Sequence, residues 1–431
     1  MWRHFRTDFV IYAFSKVLVG VSSFVLLRLL TNRMQPDQYG TYSLVFAVVT
    51  IATTVVMSYL TNSVIRYLPL AAEQNRLNSF NVALLQISTP TTIVALGATA
   101  VGLLAVSALG LVHLEPAAFV AALISSGAAS AFQIYSIYCY SGRRRLLYSA
   151  MTIGQMLSFM LGALLIQWLP FNPVTTALVA MAISFLLPLA VFQMPRPSLK
   201  LRPTPPSRRL LTRFLTYGGP LVALNISIQL NTYLDQFMLR SMRSLEEVGL
   251  YAANYVVADK VIYALASVVA ITIAPLIFTE WERRNPEISL QMVWKSIAVF
   301  LAIGIPAFFF MLAFANPIMT FLTGPDYAEG RIILPFILGA ALLSGTSSIL
   351  AYVHSLMERT AELAAIYFAG LAVNFTCNLL LIPSQGLLGC AISTLTAQVV
   401  VFLALVIRGQ VLCGLLAQWQ PAMESLVHGR T

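Results

Sequence analysis

Apolar residues in this chain gather into about a dozen blocks, with polar and charged residues between them. Blocks such as 82–104 and 297–315 supply the roughly 20 apolar residues that a helix needs to cross a hydrocarbon core about 30 Å thick. The runs are continuously apolar, whereas the strands of a membrane barrel alternate apolar with polar positions. Helices are then the remaining way to satisfy every backbone N–H and C=O in lipid. The pattern predicts helices near residues 9–30, 41–62, 81–104, 117–140, 146–169, 174–193, 214–240, 248–279, 292–315, 331–356, 361–382 and 387–408. The expected fold class is therefore all-α integral membrane.

Composition fits this pattern. Among 431 residues 58% are hydrophobic and 10% are charged, too few polar side chains to clothe a soluble globule of that size. The net charge of +10 does not require nucleic acid, because the basic residues cluster on alternate connections. With Arg3 and Arg6 in the cytoplasm, about 18 of the 26 Lys and Arg fall on the inner side and about 5 at the outer ends. Both termini are then cytoplasmic. The densest inner connections, Arg143–Arg145 and the segment carrying Arg196, Lys200, Arg202, Arg208, Arg209 and Arg213, also suit anionic lipid headgroups. Cys139, Cys377, Cys390 and Cys413 lie in or beside apolar helices without metal-ligand spacing and read as packing residues. The N-terminal block resembles a signal sequence, but Lys16 interrupts it and no small-residue cleavage site follows, so it reads as an uncleaved first helix.

Residues 194–213 hold five prolines and six basic residues, which no membrane helix sustains. The expected organisation is a six-helix lobe over 1–195, a cytoplasmic linker over 196–213, a second six-helix lobe over 214–408 and a tail over 409–431. Internal similarity supports two halves. Pro36-Asp37-Gln38-Tyr39-Gly40-Thr41-Tyr42 stands between the first two helices, and Leu245-Glu246-Glu247-Val248-Gly249-Leu250-Tyr251 between the seventh and eighth, about 209 residues on. A second match, offset by about 216, sets Gly142, Arg143, Gly154, Ser158 and Phe159 against Glu358, Arg359, Gly370, Asn374 and Phe375. Six crossings give both halves one orientation, related by a pseudo-two-fold axis along the membrane normal, with a cavity expected where they meet. In each Gly-x-Tyr element the glycine is expected to permit a tight turn before the helix begins, and the tyrosine to anchor in the headgroup zone.

Twelve helices in two lobes, the turn at 36–42, and the stretches 232–242 (TYLDQFMLRSM) and 246–255 (EEVGLYAANY) resemble the polysaccharide transporter branch of the MOP (multidrug/oligosaccharidyl-lipid/polysaccharide) flippase superfamily, the Wzx-like O-antigen flippases. The resemblance implies a MATE-like fold in a bacterial inner membrane. It also implies movement of a polyprenyl-pyrophosphate-linked oligosaccharide from the cytoplasmic to the outer leaflet, by alternating access, for lipopolysaccharide-type surface polysaccharide. Implied partners are that lipid-linked glycan, membrane lipid and other polysaccharide-assembly membrane proteins. Family members often carry a basic residue after the helix-seven aspartate; here Gln236 follows Asp235, which removes the charge pair the resemblance would imply.

An ionisable side chain in hydrocarbon costs about 2.5–3.5 kcal/mol on insertion scales, so each one marks a candidate site. Lys16, Arg28, Asp235, Asp259 and Lys260 are the clearest. Axial positions place Lys16 level with Asp259 and Lys260 in an inner layer, and Arg28 level with Asp235 in an outer one. Each layer is expected to hold a facing pair, Lys16 with Asp259 and Arg28 with Asp235, which either gates one side of the cavity or is a static ion pair, with snorkelling to the headgroups a further alternative, strongest for Arg28. Asn225, Gln229, Thr232 and Gln236 form a polar stripe on the seventh helix, and Tyr251, Tyr255, Asp259 and Tyr263 share a slowly rotating face of the eighth. Amides and aromatic faces suit sugar rings. Arg66, with the arginine triplet, lies near the expected inner mouth, where it would attract a pyrophosphate.

A membrane-embedded polysaccharide polymerase or ligase is the alternative from another class. The four histidines, His4, His113, His354 and His428, stand singly without an acid at fixed spacing, and there is no P-loop, so neither enzymatic chemistry nor a cofactor is expected. The longest outer connection, about 316–330, is short for a polymerase. Among transporters the alternative is a proton- or sodium-coupled exporter of small molecules, for which the two intramembrane aspartates would serve as ion sites.

Overall fold

The computed structural model describes residues 2–142, 144–164, 172–192, 208–283 and 285–428, and among these it is helical nearly throughout, without strands. The helices are α1 (Trp2–Thr31), α2 (Pro36–Glu73), α3 (Leu77–Ala108), α4 (Pro116–Ser141), α5 (Arg145–Leu164), α6 (Pro173–Val191), α7 (Arg208–Met242), α8 (Leu245–Glu282), α9 (Pro286–Ala313), α10 (Ala315–Thr323), α11 (Leu334–Leu356), α12 (Thr360–Gln385) and α13 (Leu387–His428). Among the described residues ten helices are long and apolar enough to cross a membrane, and α1 adds the shorter apolar stretch Val17–Thr31. The 38 residues of α2 or α8 measure about 57 Å at 1.5 Å per residue, so each overshoots the hydrocarbon into the headgroup zone and beyond.

Each of the twelve predicted helices has a counterpart, and α10 is an addition. The outer connection expected at 316–330 is α10 followed by a 3-10 segment, Pro325–Ile333. Met319, Tyr327 and Ile333 are fully buried there, so this connection packs on an apolar side of its own. Proline at the first helical position starts α2, α4, α6 and α9, where the missing N–H costs nothing. Glycines with positive φ fall in the connections, at Gly110 (68°), Gly324 (89°) and Gly386 (57°). Within the spans, hydroxyls such as those of Thr53, Thr91 and Thr99 donate back to the carbonyl four residues earlier, at 2.7–2.9 Å, which hides a polar group from lipid.

The chain forms two compact units. The first comprises Met1–Val257, Ala315–Ile333 and Asn378–Cys390. Its centre is α2, which packs on α3, α4 and α7 through Met57, Leu60, Val64, Phe80, Leu84 and Phe214. Beside it Phe132, Tyr135 and Cys139 of α4 close on Met151 of α5, so Cys139 is a packing residue as expected; Cys413 lies outside the described side chains. The second unit comprises Ala258–Phe314, Leu334–Cys377 and Ala391–Thr431. In it α9 packs on α11, with the Phe300 ring seated over Gly345, and Val401 of α13 reaches Gly370 of α12.

Candidate functional site: a buried carboxylate on α7

The least apolar of the long helices is α7, and it is not among the ten that length and apolarity alone mark as crossing. Its interruptions include Asp235 and Gln236, which are 1% and 6% exposed. Inside the first unit Asp235 Oδ2 accepts the Tyr251 hydroxyl of α8 at 2.8 Å, and Oδ1 accepts Asn378 Nδ2 of α12 at 2.7 Å. The Asp235 carbonyl accepts Cys390 Sγ of α13 at 3.7 Å. Next to it Gln236 Oε1 accepts the Ser43 hydroxyl of α2 at 2.7 Å. Two adjacent residues thus bind α7 to four other helices. Burying a carboxylate is expensive unless donors replace its water, and two short donors to its two oxygens do so here.

The repeated Gly-x-Tyr elements explain how α2 and α8 come close enough to build this site. Both glycines lie in regular helix rather than in a turn. A Cβ on Gly40 would strike the Leu245 carbonyl and stand 3.0 Å from Gly249 N; a Cβ on Gly249 would strike the Pro36 carbonyl and stand 3.0 Å from Gly40 N. The two copies therefore pack reciprocally, backbone on backbone. The expected turn is corrected: the glycines permit helix contact. The expected headgroup anchors are corrected too, since Tyr42 and Tyr251 are 5% and 1% exposed. Tyr251 holds Asp235, while Tyr42 packs against the rings of Tyr39 and Phe46 at 5.8 and 6.0 Å.

Backbone carbonyls near the ends of these helices are bound by side chains. Arg240 Nε and Nη2 donate to the Leu111 and Gly110 carbonyls beyond α3, at 2.6 and 3.3 Å. Arg243 does the same for Ile382 and Pro383 at the end of α12, at 3.3 and 2.8 Å. Glu247 Oε2 accepts the Leu387 N–H that opens α13, at 3.2 Å, where a carboxylate suits the positive helix end. Tyr327 of the 3-10 segment donates its hydroxyl to the Met34 carbonyl at 2.8 Å, and its own carbonyl accepts Asn254 Nδ2 at 3.2 Å.

Arg28 and Asp235, expected to face each other, have separate partners: Arg28 Nη1 donates to the Thr320 carbonyl in the last turn of α10 at 3.1 Å, where a cation meets the negative helix end. The Lys16 side chain lies outside the described residues, and its expected pairing with it. Asn225 bonds the Leu221 carbonyl and Thr232 the Ile228 carbonyl of their own helix, both at 2.9 Å, and Gln229 is half-buried. Tyr255 is half-buried with its ring 5.7 Å from that of Tyr251. Asp259 is half-buried, Lys260 exposed and Tyr263 64% exposed, so exposure along the α8 stripe rises from Tyr251 to Tyr263. Arg66 is exposed with its guanidinium 4.2 Å from the Tyr217 ring centroid. Of the linker, only the α7 end is described.

Sequence reasoning missed Ser43, Asn254, Tyr327, Asn378 and Cys390, together with the carbonyl-binding role of Arg240 and Arg243. Asn254 and Asn378 are amides inside apolar blocks, the same signal that marks Asn225 and Gln229 on α7; Ser43 and Cys390 give no signal.

A polytopic helical membrane protein with a buried, fully bonded carboxylate is the class these features define. Residues 5–281 match the polysaccharide biosynthesis protein family, and the chain belongs to that family. It is 24% identical over 191 residues to the probable low-salt glycan biosynthesis flippase Agl15 of Haloferax volcanii, a match covering 44% of this chain. The match spans 40% of that relative's length. Its fold is shared with an inward-facing multidrug resistance MATE family transporter of the MOP superfamily (TM-score 0.72, 14% identity, 93% of this chain and 99% of that one). It is shared equally with the lipid II flippase MurJ in an inward closed conformation (TM-score 0.72, 12% identity, 94% and 87%).

Proposed function

We propose that this protein is a flippase that carries a polyprenyl-pyrophosphate-linked oligosaccharide from the inner to the outer leaflet of a bacterial cytoplasmic membrane, for surface polysaccharide of the O-antigen or lipopolysaccharide kind. The observation that carries the reading is the family match over residues 5–281. The relative named as a glycan biosynthesis flippase supports the same class of cargo. In this proposal both termini are cytoplasmic, residues 1–195 and 214–408 form the two lobes, and transport is by alternating access.

The chemistry assigned to each part follows from its charge. Arg66 draws the pyrophosphate, Lys16 and Arg28 supply cations along the path, and Asn225, Gln229 and Tyr255 meet sugar hydroxyls and ring faces. Asp235 is the coupling group: a buried carboxylate can exchange donors such as Tyr251 and Asn378 for a proton or a sodium ion, and doing so rearranges the helices that carry them. The Lys16 and Asp259 pair, with Lys260 beside it, is assigned to an inner gate; exchange of the charges between positions 16 and 259 tests it, and a double exchange that restores nothing lost by the single ones removes it.

The decisive experiment is deletion in the host, followed by complementation. The proposal expects polyprenyl-linked glycan to accumulate facing the cytoplasm, with rescue by the wild-type chain and no rescue by a folded Asp235→Asn variant. Unchanged glycan export with altered drug tolerance would refute it in favour of an ion-coupled small-molecule exporter.

A further inference from the structure

The first unit carries a cleft whose lining residues the transport reading does not use, bounded by the end of α2, the start of α3 and the start of α7. Its volume is about 300 Å³, at the small end of ligand-site volumes of about 300–1,000 Å³. Its polar lining is Tyr67, Gln74, Arg76, Ser79 and Arg213. The apolar wall is Leu70, Ala71, Phe80 and Ala83, of which Phe80 and Ala83 belong to the core. Tyr67 stacks on Phe214 at 5.7 Å, with planes 9° apart, and Phe80 meets the same ring at 6.0 Å, so the wall rests on a fixed aromatic cluster. Arg66 sits beside it over Tyr67 and Tyr217.

Two arginines therefore line one small cleft with a third, Arg66, beside it, and among the described residues none of the three has a carboxylate partner. The first turn of α3, whose N-cap is Arg76, contains no acid and receives no side-chain cap. A guanidinium without a counterion beside an apolar wall at the end of a membrane-spanning helix matches an amphiphile with an anionic head. Arg76, Arg213, Ser79 and Gln74 stand where such a head would lie, and Phe80 and Leu70 where its chain carbons would. With both termini cytoplasmic as proposed, this end of α2, α3 and α7 lies at the cytoplasmic leaflet.

We infer that this cleft is a binding site for the phosphate of an anionic phospholipid of that leaflet. The inference takes its leaflet from the proposed cytoplasmic termini and otherwise stands whether or not the chain moves a glycan. Two cations acting together give roughly a ten-fold preference or more for an anionic over a zwitterionic head.

The test is native mass spectrometry of the full chain in detergent, titrated with phosphatidylglycerol or phosphatidylcholine. Wild type is expected to retain a phosphatidylglycerol about ten-fold more readily than a phosphatidylcholine. The Arg76→Ala/Arg213→Ala double variant is expected to lose that preference and Arg76→Lys/Arg213→Lys to keep most of it. Should the alanine pair fail to fold, Ser79→Trp, which fills the cleft and leaves both charges, reads the same contrast. Equal retention of the two lipids by wild type, or an unchanged preference in the alanine pair or the tryptophan variant, overturns the inference. Preferential retention of a polyprenyl pyrophosphate over phosphatidylglycerol overturns it as well, and moves the cleft onto the cargo path.

Discussion

Tyr251→Phe removes one oxygen from the site around Asp235 and nothing else. Both residues are 1% exposed, and the bond between them is 2.8 Å, so no water stands ready to replace the lost hydroxyl. A hydrogen bond to a charged group contributes about 1.5–3 kcal/mol net, and the carboxylate left behind keeps its Asn378 donor while losing the Tyr251 one, so a loss of about 2 kcal/mol is expected. Asp235→Asn keeps the shape and removes the charge that strengthens both bonds, while its amide nitrogen still has the Tyr251 hydroxyl oxygen as an acceptor, so a smaller loss is expected. The two changes act on the same interaction and should not add. A double-mutant cycle measured by steric-trap unfolding in bicelles should return a coupling energy of about 1–2 kcal/mol. If Tyr251→Phe costs under about 0.5 kcal/mol, or the two losses sum, the hydroxyl is not holding the carboxylate.

Gly40→Ala and Gly249→Ala each drive a methyl into a facing backbone carbonyl and should abolish monodisperse protein on size exclusion, whereas Gly97→Ala, with open space around it, should hold or gain about 0.5–1 kcal/mol of helix stability. Tyr327→Phe forfeits a buried bond to the Met34 carbonyl and should cost about 1 kcal/mol in the same unfolding assay; no change would mean the 3-10 segment is not held there. Glu362→Gln breaks exposed pairs to Arg408 at 3.0 Å and Arg359 at 3.5 Å and should cost under about 1 kcal/mol, a loss that vanishes in high salt.

The twelve long helices were legible because lipid demands a fixed length of apolar residue, a signal that survives without any knowledge of neighbours. The extra helix α10 was not, because nine residues fall below that length and its burial depends on partners elsewhere in the chain. Asp235 was legible as a charge in hydrocarbon, and its partner was not. Reasoning from axial level offered Arg28, but charges seek the nearest donors or acceptors, and these are neutral: a tyrosine hydroxyl and an amide for Asp235, a helix-end carbonyl for Arg28. The Gly-x-Tyr repeat was visible as a repeat, while its purpose became clear only when the two copies were found against each other.

That reciprocal packing also makes the difference between the copies meaningful. At the offset of about 209 that aligns Gly40 with Gly249, the position matching Asp235 is Leu26, which is 8% exposed. At the second offset of about 216, Asn378 aligns with Gly162, whose Cβ position faces Ala180. The first copy therefore keeps the glycine contact and a buried tyrosine but has neither the acid nor the amide. A shared scaffold with polar chemistry in one copy alone is what a single coupling site requires, since a second carboxylate would need donors the first copy does not have. Leu26→Asp puts this to the test: it buries a carboxylate without an asparagine opposite and should cost about 3–5 kcal/mol, read as loss of folded protein at neutral pH. Normal yield and unfolding energy for that variant would show that the first copy can house an acid as well as the second, and the argument from asymmetry would fail.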